Sequence, residues 1–291
     1  MTSPSLAVLM AQLEELWGHY DTVSQELAPE VWQHKFGREW VYADVPRHLA
    51  YFDQEVIAEG VACGPAAPAA QPAFMRTHRE FNAWNARRLA EYRRDQTVEY
   101  ALAQMQAGRA AIRQAVAPLG DADLDQPVWF PLAGFAGWRT VRYALQFCRQ
   151  HTWVHFTQLR LRLKRATPVV SPAVTHGALN GVVHSLAPLL NHTLAQQVRL
   201  TAALVLTGPG GGVWAIRVAD GECAITAGWP AHADLTLTQS PATLIEVLSG
   251  MRHPLTAVAA GRIRVGGWRR LPRFLQLFPR PRLDQPLKPV P

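Results

Sequence analysis

Through the first 165 residues the apolar positions recur at steps of three and four, the repeat of a helix with one buried face. SLAVLMAQLEELWGHYDTVSQEL, residues 5–27, carries this pattern and stops before Ala28-Pro29. A second helix is expected from Asp44 as N-cap, with Pro46 in a first turn that does not need its N–H. It runs through RHLAYFDQEVIAEG and stops at Gly60. GVACGPAAPAAQPA, residues 60–73, is loop by composition. Helical periodicity resumes from about Thr77 to Val116, with a break near Asp95, and Leu119-Gly120 closes it. Residues 120–138 read as a loop, and Thr140–Leu163, free of Pro and Gly, predicts a fourth helix. Four long helices with apolar stripes fit a four-helix bundle.

The period then changes. Residues 173–197 predict one more helix. After it RLTAALVLTG, VWAIRV, ECAIT and ADLTLT alternate or run apolar at strand length, separated by the turn residues of GPGGG and ADG. SPATLIEVLSGM predicts a helix capped by Ser240 with Pro241 at its first position, GRIRVGG a short last strand, and WRRLPRFLQLFP a closing helix in which Pro272 sits early or makes a kink. The fold class is α+β, an N-terminal all-α bundle over residues 1–167 followed by a smaller α/β sandwich over 173–280. The last residues, 281–291, form a proline-rich tail with too little apolar surface to fold alone.

Composition removes several function classes. No apolar run approaches the roughly 18–20 residues of a membrane span. The N-terminus lacks the basic n-region of a signal peptide, so the cytoplasm is the expected location. The three cysteines, Cys63, Cys148 and Cys223, form neither a CxxC nor an even disulfide framework. Cys148 reads as a packed small hydrophobe. The net charge is +7, with Arg far outnumbering Lys; Arg160, Arg162, Lys164 and Arg165 crowd one helix end, and Arg262, Arg264, Arg269, Arg270 and Arg273 another region. No helix-turn-helix, finger or aromatic RNA-binding motif accompanies them, so no nucleic-acid partner is expected. The oligomeric state is not legible.

The candidate chemistry lies in FCRQHTWVHFTQLR, residues 147–160, where His151 and His155 stand one helical turn apart. Ala144, Phe147, Cys148, Val154 and Gln158 share their stripe, which is expected to face the core. Buried imidazoles need partners, and a shared metal ion supplies one. Two ligands are too few, so a third must come from elsewhere. WVYADVPRHLAYFDQ, residues 40–54, places His48 near the start of the second helix. His48, His151 and His155 would leave one coordination position open, as catalytic metal centres do.

A tryptophan, an aspartate-led helix and a histidine, followed about a hundred residues later by HxxxH, resemble the DinB/YfiT family, whose relatives include mycothiol-dependent maleylpyruvate isomerases and bacillithiol transferases. FNAWNARRLAEYRRDQTVEYALAQMQAGRAAI is similar to the family's third helix. The resemblance covers roughly residues 5–165 and implies a bundle holding zinc or nickel on His48, His151 and His155, with a low-molecular-weight thiol as cosubstrate. In the maleylpyruvate isomerases the position matching His151 is usually a carboxylate, so the all-histidine set is closer to the thiol-transferase branch. ADLTLTQSPATLIEVLSGMRHPLTAVAAGRIRVGGWRRLPRFLQLF resembles a sterol carrier protein type 2 domain over about residues 175–280. This implies a mixed sheet with an apolar tunnel for acyl chains, and Leu244, Leu248, Met251, Leu255, Phe274 and Phe278 are the candidate lining. Arg262 and Arg264 are candidates to bind a carboxylate of thiol or substrate during catalysis. The function expected is a metal-dependent thiol transferase or isomerase acting on an apolar or acidic substrate. The alternatives are an acyl-chain carrier with a structural bundle, and a metalloprotein without turnover.

Overall fold

The computed structural model describes residues 3–37, 39–64, 78–94, 97–130, 137–164 and 170–279. The chain divides into two compact units, one reaching to residue 168 and one spanning Val169–Pro281.

The first unit is helical. Helix α1, Leu6–Gln25, starts where the Ser5 side chain accepts from the Val8 N–H. Helix α2, Asp44–Phe52, runs on through a π-helical segment, Asp53–Ala58, into α3, Glu59–Cys63. Two expectations are corrected here. Asp44 is the first helical residue rather than the cap; it is buried, and its carboxylate accepts from the Val41 N–H at 2.8 Å. Gly60 does not end the helix either. A Cβ there would lie 2.9 Å from the Trp129 carbonyl oxygen, so this glycine serves close packing, and the chain turns out at Gly64, with φ +54°.

Helices α4, His78–Arg93, and α5, Val98–Val116, flank the expected break, and the Thr97 side chain caps α5. The predicted loop that follows carries a 3-10 turn, Asp121–Asp125, and an antiparallel pair, β1 (Pro127–Phe130) and β2 (Gly137–Thr140). Four residues per strand are too few to show a period, which is why the pattern did not reveal them. Helix α6, Val141–Leu163, is capped by Thr140 and ends at Lys164 in the left-handed region. Contacts run chiefly between α2 and α5 and between α1 and α6. Leu13, Trp17, Phe52, Ile112, Leu145 and Cys148 belong to one buried apolar cluster.

The second unit opens with α7, Pro172–His184. The single helix expected over 173–197 is broken: Pro188 lies in a 3-10 turn, Ala187–Leu189, and the short α8, His192–Ala195, starts afresh with Asn191 as cap. Strands β3 (Leu200–Leu206), β4 (Gly212–Ala219), β5 (Glu222–Ala227), β6 (Leu235–Gln239) and β7 (Ile263–Gly266) form one mixed sheet in the order β5-β4-β3-β6-β7. Only the β3–β6 pairing is parallel. Helix α9, Pro241–Leu248, is capped by Ser240, as its sequence requires. Helix α10, Pro254–Ala259, was not foreseen; six residues carry less than two turns of pattern. The closing helix α11, Leu271–Leu277, takes Pro272 in its first turn without a kink. The tail at 281–291 lies outside the described residues. The whole is therefore α+β, a helical unit with a small hairpin followed by a five-stranded sheet with helices.

Candidate metal centre

Helix α2 carries His48, and α6 carries His151 and His155 one turn apart. One ring nitrogen from each of the three can be chosen so that all lie within 4.8 Å of one another. The Nε2 atoms of His48 and His151 are 2.9 Å apart. The His151 and His155 rings are perpendicular, with centroids 4.7 Å apart. His48 is buried, whereas His151 and His155 are half-buried.

The last point corrects an expectation. The buried stripe of α6 runs through Val141, Ala144, Cys148, Thr152, Phe156 and Leu159. His151, Val154, His155 and Gln158 lie beside it, partly open. A stripe beside the core suits ligands that a small molecule must reach.

The His48 ring is held from behind. Its Nδ1 lies 2.7 Å from the Tyr51 hydroxyl, which in turn donates to Asn85 Oδ1. Burial keeps the Tyr51 hydroxyl protonated, so it can make this donation. With its proton given to Asn85, the Tyr51 oxygen is free to accept from His48 Nδ1–H, which leaves the His48 Nε2 as a bare lone pair aimed at its partners. Trp40 and Phe52 wall the site; the Trp40 ring is stacked against His155 at 6.1 Å, and Phe52 lies 4.0 Å from His151 between centroids.

Burial, and the mutual repulsion of the rings, pushes the basicity of His48 and His151 well below the ordinary histidine range. Burial lowers His155 to about 4, against the pull of a hydrogen bond that its ring donates to Gln158. All three imidazoles are therefore neutral at pH 7 and available as donors. Two facing Nε2 lone pairs at 2.9 Å repel unless a proton or a cation lies between them. The Nδ1 atoms of His151 and His155 are buried without a hydrogen-bond partner. Three neutral nitrogen ligands this close together could hold a metal ion.

Tyr51 and Asn85 were missed by sequence reasoning. Tyr51, three residues after His48 on one helix face, was the readable signal; Asn85 had none, being brought in from α4. The remaining candidates lie in the second unit. Leu244, Leu248, Leu255, Phe274 and Phe278 line one apolar cavity of about 190 Å³. Met251 is not among the lining residues. Arg262 is exposed and pairs with Glu246 at 3.4 Å. Arg264 is exposed on β7. The isolated histidines have local tasks: the Nδ1 of His176 meets the Gly211 carbonyl and that of His192 the Gly221 carbonyl.

No curated protein matches the chain. A family model for the SCP-2 sterol transfer family matches residues 186–270. Among solved structures, the mycothiol-dependent maleylpyruvate isomerase is similar with a TM-score of 0.50 and 12% identity, over 82% of this chain and 87% of that one. A histidine-to-alanine mutant of that enzyme gives 0.51 and 11% over the same shares. The stereoselective inverting sec-alkylsulfatase Pisa1 from Pseudomonas sp. is similar at 16% identity and a TM-score of 0.30; the match takes in 47% of this chain and spans only 24% of the sulfatase. A model for the DinB superfamily matches residues 12–159, half of the chain and all of the segment that brings the three histidines together, and the chain belongs to that superfamily.

Proposed function

We propose that the chain is a metal-dependent enzyme of the thiol-transferase or isomerase type, acting through a divalent ion, zinc or nickel, on His48, His151 and His155. The observation that carries this reading is the convergence of three neutral imidazoles, their ligand nitrogens within 4.8 Å, with His48 oriented from behind by Tyr51. A divalent ion on three neutral ligands keeps its full charge, lowers the pKa of a bound thiol or water and polarises a carbonyl oxygen.

The chain's own residues supply the rest. Tyr51 and Asn85 fix the tautomer and direction of His48. Trp40 and Phe52 keep bulk water from that side, which strengthens electrostatic interactions at the site. The half-buried edges of His151 and His155 leave a side by which a small molecule can approach. The nucleophile is external: burial, and the Asp53 carboxylate beside it, push the Cys148 thiol well above its ordinary range, so no thiolate forms there at neutral pH. A low-molecular-weight thiol as cosubstrate fills that role, and the mycothiol of the isomerase neighbour is one member of the class. In the second unit the apolar cavity supports binding of an apolar ligand, while Arg262 and Arg264, which do not line it, stay as candidates to meet a carboxylate elsewhere.

That cavity also favours a second reading, in which the chain is an acyl-chain carrier whose metal-binding bundle is structural. Turnover separates the two. The zinc- or nickel-loaded protein is assayed for consumption of low-molecular-weight thiols, mycothiol included, with electrophiles and with maleylpyruvate. The enzyme reading expects turnover that falls at least about a hundredfold in His155→Ala, the scale on which losing a transition-state interaction acts. Equal rates in the two proteins, or none with any thiol, would contradict it.

A further inference from the structure

Strand β6 turns Leu235, Leu237 and Gln239 to the buried face of the sheet. The period-two pattern asks for a third apolar side chain, and the chain supplies an amide. Gln239 is 6% exposed, and it lines the apolar cavity together with Leu204, Leu237, Leu244, Ile263 and Phe274. Its Oε1 is buried without a hydrogen-bond partner. The nearby polar groups are committed elsewhere: the Ser240 hydroxyl accepts from the Thr243 N–H to cap α9, and the Thr207 N–H donates to the Gln239 main-chain carbonyl. A buried acceptor left unmet costs more than a hydrogen bond returns, so an orphan of this kind asks for a partner.

We propose that Gln239 sets the specificity of this cavity: its Oε1 accepts a hydrogen bond from the terminal hydroxyl of a medium-chain aliphatic ligand, a primary alcohol. The inference rests on the reading of the second unit as a binder of apolar ligands and names the class it takes. A hydrophobic pocket alone discriminates weakly between molecules of one size, whereas a site holding an unmet polar atom rejects a ligand that cannot satisfy it. A carboxylate does not answer the need, because it offers only acceptors, and no Lys, Arg or His stands among the lining residues to neutralise it. The size is consistent with a short chain. A cavity of about 150 Å³ with a similar lining holds benzene, so about 190 Å³ suits roughly eight non-hydrogen atoms. Leu248 and Leu255 line the cavity and are 45% and 53% exposed, so they mark an open side through which a longer chain can extend.

The test compares two isomers that differ only in the donor, 1-octanol and methyl heptyl ether, by calorimetric titration of the full chain. The expected result is that the wild type binds the alcohol about tenfold more tightly, and that in Gln239→Leu the preference falls below about twofold while the ether binds at least as well as before. Equal affinities in the wild type would overturn the role of Gln239 and leave the cavity as an apolar site, a result that does not depend on the variant folding. Binding of neither isomer would overturn the reading of the cavity itself, and this inference with it.

Discussion

At the scale of the residue, the proposed centre depends on how His48 is aimed. An imidazole ligand is useful when one nitrogen is bare and fixed, and the contact from Nδ1 to Tyr51, backed by Asn85, does both. Tyr51→Phe keeps the ring and the packing and removes only this partner. It should weaken zinc binding by about 10–100-fold, the usual cost of losing an outer partner, as read by competition with a chelator; unchanged affinity would show that the contact does not orient His48. The protonation balance gives a second prediction. His155 titrates near 6.5 when unfolded and near 4 when folded, so between those values the unfolded chain binds more protons. The stability it permits is complete above about 6.5 and is lost as the pH falls toward 4. Asp53 works in the opposite sense, since burial raises it to about 7 and its contribution fades as the pH rises to that value. Comparison with His155→Phe cancels Asp53. The melting temperature of the metal-free wild type should therefore fall relative to that variant from pH 6.5 to 4, and a constant difference would contradict the assigned shift. The grouping of the three histidines was legible because two of them stand one turn apart on one helix and a third lies near the start of another. The Tyr51–Asn85 pair was not, because it joins residues 34 positions apart.

At the scale of the element, the site depends on how α2 is anchored. Asp44 begins the helix and is fully buried, and its carboxylate accepts from Arg47 at 3.1 Å and from the Nη2 and Nε edge of the Arg93 guanidinium, at 2.6 and 3.0 Å. This ties α4 to the first turn of α2, one turn before His48. Asp44→Ala leaves arginines without their buried partner and should cost about 3 kcal/mol in urea unfolding; a loss below about 1 kcal/mol would show the pair to be incidental. The closeness of α5 is set by Gly108, where a Cβ would lie 3.1 Å from both the Ala50 carbonyl oxygen and the Asp53 Cβ. Gly108→Ala should destabilise by about 1–3 kcal/mol, as overpacking does, and chemical denaturation checks it. The long helices were readable from their period, and so was a division between α4, which ends at Arg93, and α5, which starts at Val98; Asp95 itself lies outside the described residues. The β1–β2 hairpin, α10 and the division of the helix after α7 were not, because four to six residues hold too little pattern, and because Pro188 punctuates a run that is otherwise apolar enough to continue. The π-helical segment at Asp53–Ala58, which packs against α5 and α6, has no sequence signature.

At the scale of the molecule, the change of hydrophobic period marked where helices give way to a sheet, and the order of the strands' pairing remained a matter of tertiary contacts. In the first unit Arg47, Arg88, Arg93, Arg109, Arg113 and Arg142 pair with carboxylates. Among the described residues no helix is long and apolar enough to cross a membrane. The proposal at this scale is one metal centre shared by His48, from one end of the helical unit's sequence, and the His151–His155 pair, from the other. The most direct test is metal content per chain by mass spectrometry on protein made without a histidine tag, beside His48→Ala and His151→Ala. The account predicts close to one zinc or nickel ion per wild-type chain and its loss in both variants. No metal in the wild type after supplementation with either ion, or full retention in His48→Ala, would contradict it.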